Sequence, residues 1–188
     1  MSWLEIVALI AGFLLVIAII WWVRTARRLD GLHRTVVQSR AMLGDALAER
    51  ARESSAFAAC RALDMAGAIL LAEAAAEATE AEHLPLVDDG LVLRPAPKRT
   101  PVDRRLLESN LSRTLRLVLE DLPAEELTDE QNTRLSKLNE AREDVRLSRR
   151  FHNTKVDQAR RLRSGRLVRL TKMAGRAGLP EPVDMDDE

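Results

Sequence analysis

Between Ile6 and Val23 the chain places eighteen consecutive residues without a charge, and Arg24, Arg27 and Arg28 follow at once. At a rise of ~1.5 Å per residue a helix over that run covers about 27 Å, close to the hydrocarbon thickness of a bilayer. The pattern predicts a transmembrane anchor over residues 1–24. Trp3 stands at one end and Trp21 and Trp22 at the other, where indole rings prefer the headgroup level. A cleaved signal peptide carries its basic residues before the apolar run and a small-residue cleavage site after it. Here Glu5 precedes, arginines follow and no such site lies between. Arginine-rich flanks stay in the cytoplasm. The expectation is therefore a single-pass protein of the plasma membrane, its N-terminus outside and its C-terminal domain cytoplasmic.

Beyond the anchor the apolar positions keep a helical period. Leu29, Leu32, Val36, Leu43 and Leu47 recur at three- and four-residue steps on one stripe. Ser54–Ser55 mark the expected bend, after which the helix continues through Met65, Ile69 and Leu70 to about His83. Residues 84–100, with Pro85, Gly90, Pro95 and Pro97, read as a loop. Thr100-Pro101-Val102-Asp103 predicts a helix start, followed by the stripe Leu107, Leu111, Leu115, Val118 and Leu122, with Pro123 as a stop. Thr128-Asp129-Glu130-Gln131 fits a capping box. It opens a long helix to about Arg163 carrying Leu135, Leu138, Ala141, Val145, Val156, Ala159 and Leu162, with Gly165 as a kink before Leu167, Val168 and Leu170. No segment alternates as a strand does. The predicted fold is all-α: a transmembrane helix, then an elongated three- or four-helix bundle over residues 25–176. The acidic segment 177–188 is expected to be disordered.

Charge changes this picture only through its distribution. The 29 basic and 29 acidic residues cancel, yet Asp45 to Leu93 carries a net −7 and Arg142 to Arg176 a net +9. Helices with complementary faces explain the segregation most simply. Arg149 and Arg150 are placed to pair with the acids between Asp45 and Asp89. Cys60 is the sole cysteine, which fits a reducing compartment. Phe57 and Phe151 are the only Phe, Trp or Tyr beyond the span, too few for the stacking platforms of nucleic-acid modules.

The stretch Leu147-Ser148-Arg149-Arg150-Phe151-His152-Asn153-Thr154-Lys155-Val156 resembles the LemA family signature, an A-R-R-F/Y-Y/H-N-x-x-V pattern on a late helix. Leu29 to Arg50 resembles that family's first helix, with a basic residue near Arg50 in register. The resemblance covers roughly residues 1–60 and 130–180. It implies a single-pass helical protein with no enzymatic activity to carry over. The chain departs from the family at Ala51 to Ala59, which lacks the proline and asparagine of the usual D-L-I-P-N-L-V segment, and at Ser148. In the signature, Phe151 is expected as a buried helix contact widening the apolar face beside Val156, and Asn153 as a bond to another helix or a loop carbonyl.

Candidate chemistry is sparse. His33, His83 and His152 form no i, i+3 or i, i+4 pair, so no helical metal face is predicted. The two Glu-x-x-His motifs that a di-metal carboxylate bundle needs, phosphate-binding glycine loops and nucleophile elbows are missing from the sequence. No catalytic residue, metal or cofactor is expected. Two functions remain: a membrane-anchored helical scaffold binding a protein partner or itself through the Leu29–Leu47 seam, or a binder of anionic lipid or nucleic acid through residues 142–176.

Overall fold

The computed structural model describes residues 3–87, 102–120, 122–165 and 178–187. These form α1 (Trp3–Ala59), α2 (Met65–Glu80), α3 (Arg104–Glu120) and α4 (Asp129–Ser164), with single 3₁₀ turns at Ala81–His83 and Ala124–Glu126. Among the described residues there is no strand. The expected cap Thr100–Pro101, the body of the loop to residue 100 and the segment 166–177 fall outside them.

Helix α1 runs 57 residues without a break, about 86 Å at 1.5 Å per residue. Its N-terminal part is long and apolar enough to cross a membrane, with a mean hydropathy of 2.9 over its best eighteen residues and none of that window buried by protein. The bend expected at Ser54–Ser55 does not occur. Ser54 Oγ donates to Arg50 O of its own helix (2.7 Å), so the serine pair is absorbed inside the helix. The break comes at residues 60–64 instead. The Cys60 amide donates to Phe57 O, Arg61 takes a left-handed φ of 61°, and Asp64 caps α2 by accepting from the Gly67 amide (2.8 Å). Gly67 leaves room for this cap, because a Cβ would sit 2.7 Å from Asp64 Oδ1 and push the carboxylate aside.

The chain then turns back on itself. Helix α2 faces inward with Leu71, Ala74, Ala75 and Ala78, while Met65, Ile69 and Leu70, expected on the apolar stripe, are exposed. Helix α3 starts at Arg104, where the Asp103 carboxylate accepts the Arg105 amide (2.9 Å). The Arg105 guanidinium also bonds this carboxylate and holds its pKa below the usual range. The stabilisation from this lowered pKa is present above about pH 4 and fades as pH falls through the lowered value. Helix α4 opens on the predicted capping box, Thr128 and Gln131 bonding reciprocally. The Gln131 side-chain amide also donates to Cys60 O (3.2 Å), tying the start of α4 to the end of α1.

Helices α1 and α4 are antiparallel. Phe57 shares a core with Leu138, Leu43 and Leu47 with Val145, and Val36 with Val156 and Ala159. All four helices meet only around Ala51–Ala58, where Leu71 of α2 and Leu111 and Leu115 of α3 complete the core. Toward the N-terminal end of the α1 seam, α2 and α3 run out. Two extended pieces take their place beside Leu43, Leu47 and Val145: Leu86–Val87, and Val183 and Met185 from the C-terminal segment. The tail expected to be disordered is thus packed along Gly178–Asp187. Its physical reason is the alternation Val183-Asp184-Met185, which buries every second side chain.

Asp64→Ala should cost about 1 kcal/mol by loss of the cap. Gly67→Ala should be nearly neutral in the parent, since displacing the cap offsets the gain in helix propensity, but stabilise the Asp64→Ala protein by ~1 kcal/mol. Thermal unfolding of the four proteins followed by circular dichroism measures this non-additivity.

Candidate interaction groove

Two polar constellations converge between α1, α3 and α4. The inner one is fully buried. Arg50 on α1 is 2% exposed and Glu108 on α3 is 1% exposed. Arg50 Nη2 donates to Glu108 Oε2 (2.9 Å) and Glu108 O (3.1 Å), and Nη1 to Ser112 Oγ (2.8 Å). Arg104 donates from Nε to Glu108 Oε1 (3.2 Å) and from Nη1 to Glu82 O and Leu84 O, so the end of α2 is locked to the start of α3. Burial lowers the Arg50 pKa, opposed by the Glu108 carboxylate and more weakly by Asp187.

The outer constellation is a basic groove occupied by the chain's own tail. Asp186 accepts two hydrogen bonds from Arg116 (2.8 and 2.7 Å), with Arg113 at 3.6 Å, and its amide donates to Ser109 Oγ (3.0 Å). Asp187 is gripped by both nitrogens of the Arg149 fork, and Arg146 Nε donates to its carbonyl (3.1 Å). Bidentate guanidinium–carboxylate pairs are the strong and directional kind. Asn153 recognises the tail backbone as a neighbouring strand would: Nδ2 donates to Val183 O (3.0 Å) and Oδ1 accepts from Val183 N (2.9 Å). Arg142 faces the same groove. Burial, and then Arg146, Arg50 and Arg116, lower its pKa, and its side-chain bond is to Asn139 Oδ1 (3.2 Å).

The signature residues therefore divide. Arg149 and Asn153 hold the tail. His152 is fully buried in the α1–α4 seam, its Nδ1 2.9 Å from Ser39 Oγ, and Val156 packs with Val36 beside it. Arg150 is exposed, and Phe151, expected to be a buried contact, is 44% exposed. The reason is angular: His152 and Val156 take the seam, which turns Phe151 outward beneath the Lys155 ammonium, 4.9 Å from the ring centroid. The partner expected for Arg149 was an acid between Asp45 and Asp89. The structure supplies Asp187 instead, while Glu49 pairs locally with Arg52. Trp3, Trp21, Trp22, Arg24, Arg27 and Arg28 are exposed along α1.

Sequence reasoning missed the tail and the buried Arg50–Glu108–Arg104 group. The tail carried one signal, an apolar–acidic alternation too short to stand out from its net charge. Among the described residues no group of three or more His, Cys, Asp or Glu is placed to hold a metal ion. A cleft of about 520 Å³ beside the α1–α2 turn, with Leu63, Leu70, Leu117 and Pro123 in its wall, brings in Asp64, which is committed to its cap. Comparison with protein-family models, curated proteins and solved structures finds no match.

Glu108→Ala leaves two buried guanidinium groups without their carboxylate and should destabilise the fold by about 3–5 kcal/mol. Arg50→Met should cost less, because Glu108 keeps Arg104. The order of the two midpoints in chemical denaturation checks the assignment.

Proposed function

We propose that this chain is a LemA-like, single-pass membrane protein that holds a helical interaction module against the cytoplasmic face of the plasma membrane. The observation that carries the reading is the exposure of the apolar run of α1. Residues Ile6–Val23 have no protein over them, and the same helix continues without a break into the bundle core. Leaving that much apolar surface in water is strongly unfavourable at ~25 cal/mol per Å², and lipid is the cover that matches its length and its tryptophan ends. Arg24, Arg27 and Arg28 argue for the cytoplasmic orientation.

No reaction is proposed, because nothing among the described residues motivates one. Interaction is the better reading. The Leu29–Leu47 seam is one candidate for self-association; from Leu32 to Leu47 it is closed on α4, so among the described residues the basic groove is the better-supported surface. The competing reading, contact with anionic lipid or nucleic acid through residues 142–176, is weakened because the Asp187 carboxylate already pairs with Arg149 of that region and the Asp187 carbonyl accepts from Arg146.

The full-length protein should stay in the pellet when membranes are washed with alkaline carbonate. A version lacking residues 1–24 should move to the soluble fraction. A C-terminal tag should be digested by protease in inside-out vesicles and protected in intact cells. Release of the full chain by carbonate, or digestion of the tag in intact cells, contradicts the reading.

A further inference from the structure

We propose that the groove between α3 and α4 is a recognition site for an extended acidic segment of a partner protein, and that Val183–Asp187 occupies it as a resident, displaceable ligand. The proposal deepens the interaction reading above by naming its surface and the chemistry of its partner. It does not depend on the membrane assignment.

The contacts have the grammar of peptide recognition rather than of a core. Alternate side chains enter pockets: Val183 and Met185 are buried against Leu43, Leu47 and Val145. One side-chain amide, Asn153, reads the backbone in the manner of strand addition. Two successive carboxylates meet separate arginine forks, Asp186 at Arg116 and Asp187 at Arg149. The tail follows an independent track. Arg163 donates to Gly178 O and Asn153 pairs with Val183, so five extended residues, about 16 Å, cover the ~15 Å of ten helical residues. The Arg113, Arg116 and Asp186 side chains are 64%, 42% and 30% exposed, so water and salt reach this end of the contact. Arg142, partly buried with no carboxylate within 4.0 Å among the described residues, leaves positive charge in reserve for a more acidic occupant. The partner segment has two apolar residues at alternate positions followed by at least two aspartates or glutamates.

A tethered ligand competes at an effective concentration of about 1 mM. If the isolated segment binds with a Kd near ~10 µM, the resident tail masks the groove about 100-fold. The test uses the full chain in lipid nanodiscs and a fluorescein-labelled peptide of residues 178–187 as probe. The parent protein should bind the probe weakly. The Asp186→Asn/Asp187→Asn protein, whose own tail has lost its charges, should bind it tens of times more tightly. Adding Arg149→Ala to that protein should abolish the gain, as should 1 M NaCl, which shortens the screening length to ~3 Å. Equal weak binding by the parent and the Asn/Asn protein, with helix content unchanged, overturns the proposal. So does loss of helix content in the Asn/Asn protein, which would make the tail an inseparable part of the fold. A third contrary result is a dimer of exchanged tails that the probe does not dissociate, which assigns the groove to self-assembly. None of these outcomes alters carbonate extraction, so the membrane reading stands or falls separately.

Discussion

The continuity of α1 is the constraint on which the other elements depend. One helix carries an apolar half with no protein over it and a seamed half closed by α4, with no loop between to absorb a rotation. The phase of the seam at Val36, Leu43, Leu47 and Phe57 is therefore rigidly coupled to the face that the proposed span presents to lipid. Helix α4 reads that seam in the antiparallel sense, and the Gln131–Cys60 bond fixes the register at its far end. Helices α2 and α3 are short and pack only where the pair alone would leave Ala51 and Phe57 uncovered.

Polar groups specify what apolar packing leaves open. The α1–α4 seam carries Ser39 opposite His152 at 2.9 Å, a pairing that disfavours a slip of one helical turn because it would leave both groups buried against aliphatic side chains. Arg50 does the same for α3. A buried ion pair contributes little net stability after desolvation, yet it penalises any docking that separates it. Toward the solvent the same logic continues in weaker form. The arginines of α3 and α4 are gathered by helix packing; burial, and then the charges of Arg146, Arg50 and Arg116, lower the Arg142 pKa, and the aspartates of the tail pair with Arg116 and Arg149.

Much of this was legible in the sequence. The apolar run, the α1 and α4 stripes and the capping box at Thr128–Gln131 each follow from a strong local rule, and the structure keeps them. The helix break was misplaced because two serines look like a bend while Asp64 looks unremarkable. A serine can return its hydroxyl to the preceding turn, whereas only the capped geometry reveals Asp64. Phe151 was misjudged because one position off a stripe is about 100° of helix, enough to reach solvent once His152 takes the seam. The tail and the Arg50–Glu108 pair were illegible for a common reason. Both depend on residues 58 or more positions apart, or on an extended segment whose burial is decided by where α2 and α3 end, and no local pattern records that.

Tryptophan depth in lipid vesicles is the direct measurement of the continuous anchor. All three tryptophans, Trp3, Trp21 and Trp22, lie at the ends of the apolar run, so intrinsic fluorescence reports on nothing else. A membrane-spanning α1 predicts blue-shifted emission, quenching by spin labels at the headgroup level more than at the acyl-chain centre, and protection from aqueous acrylamide. Water-like emission freely quenched by acrylamide, with lipid-borne labels without effect, would contradict it.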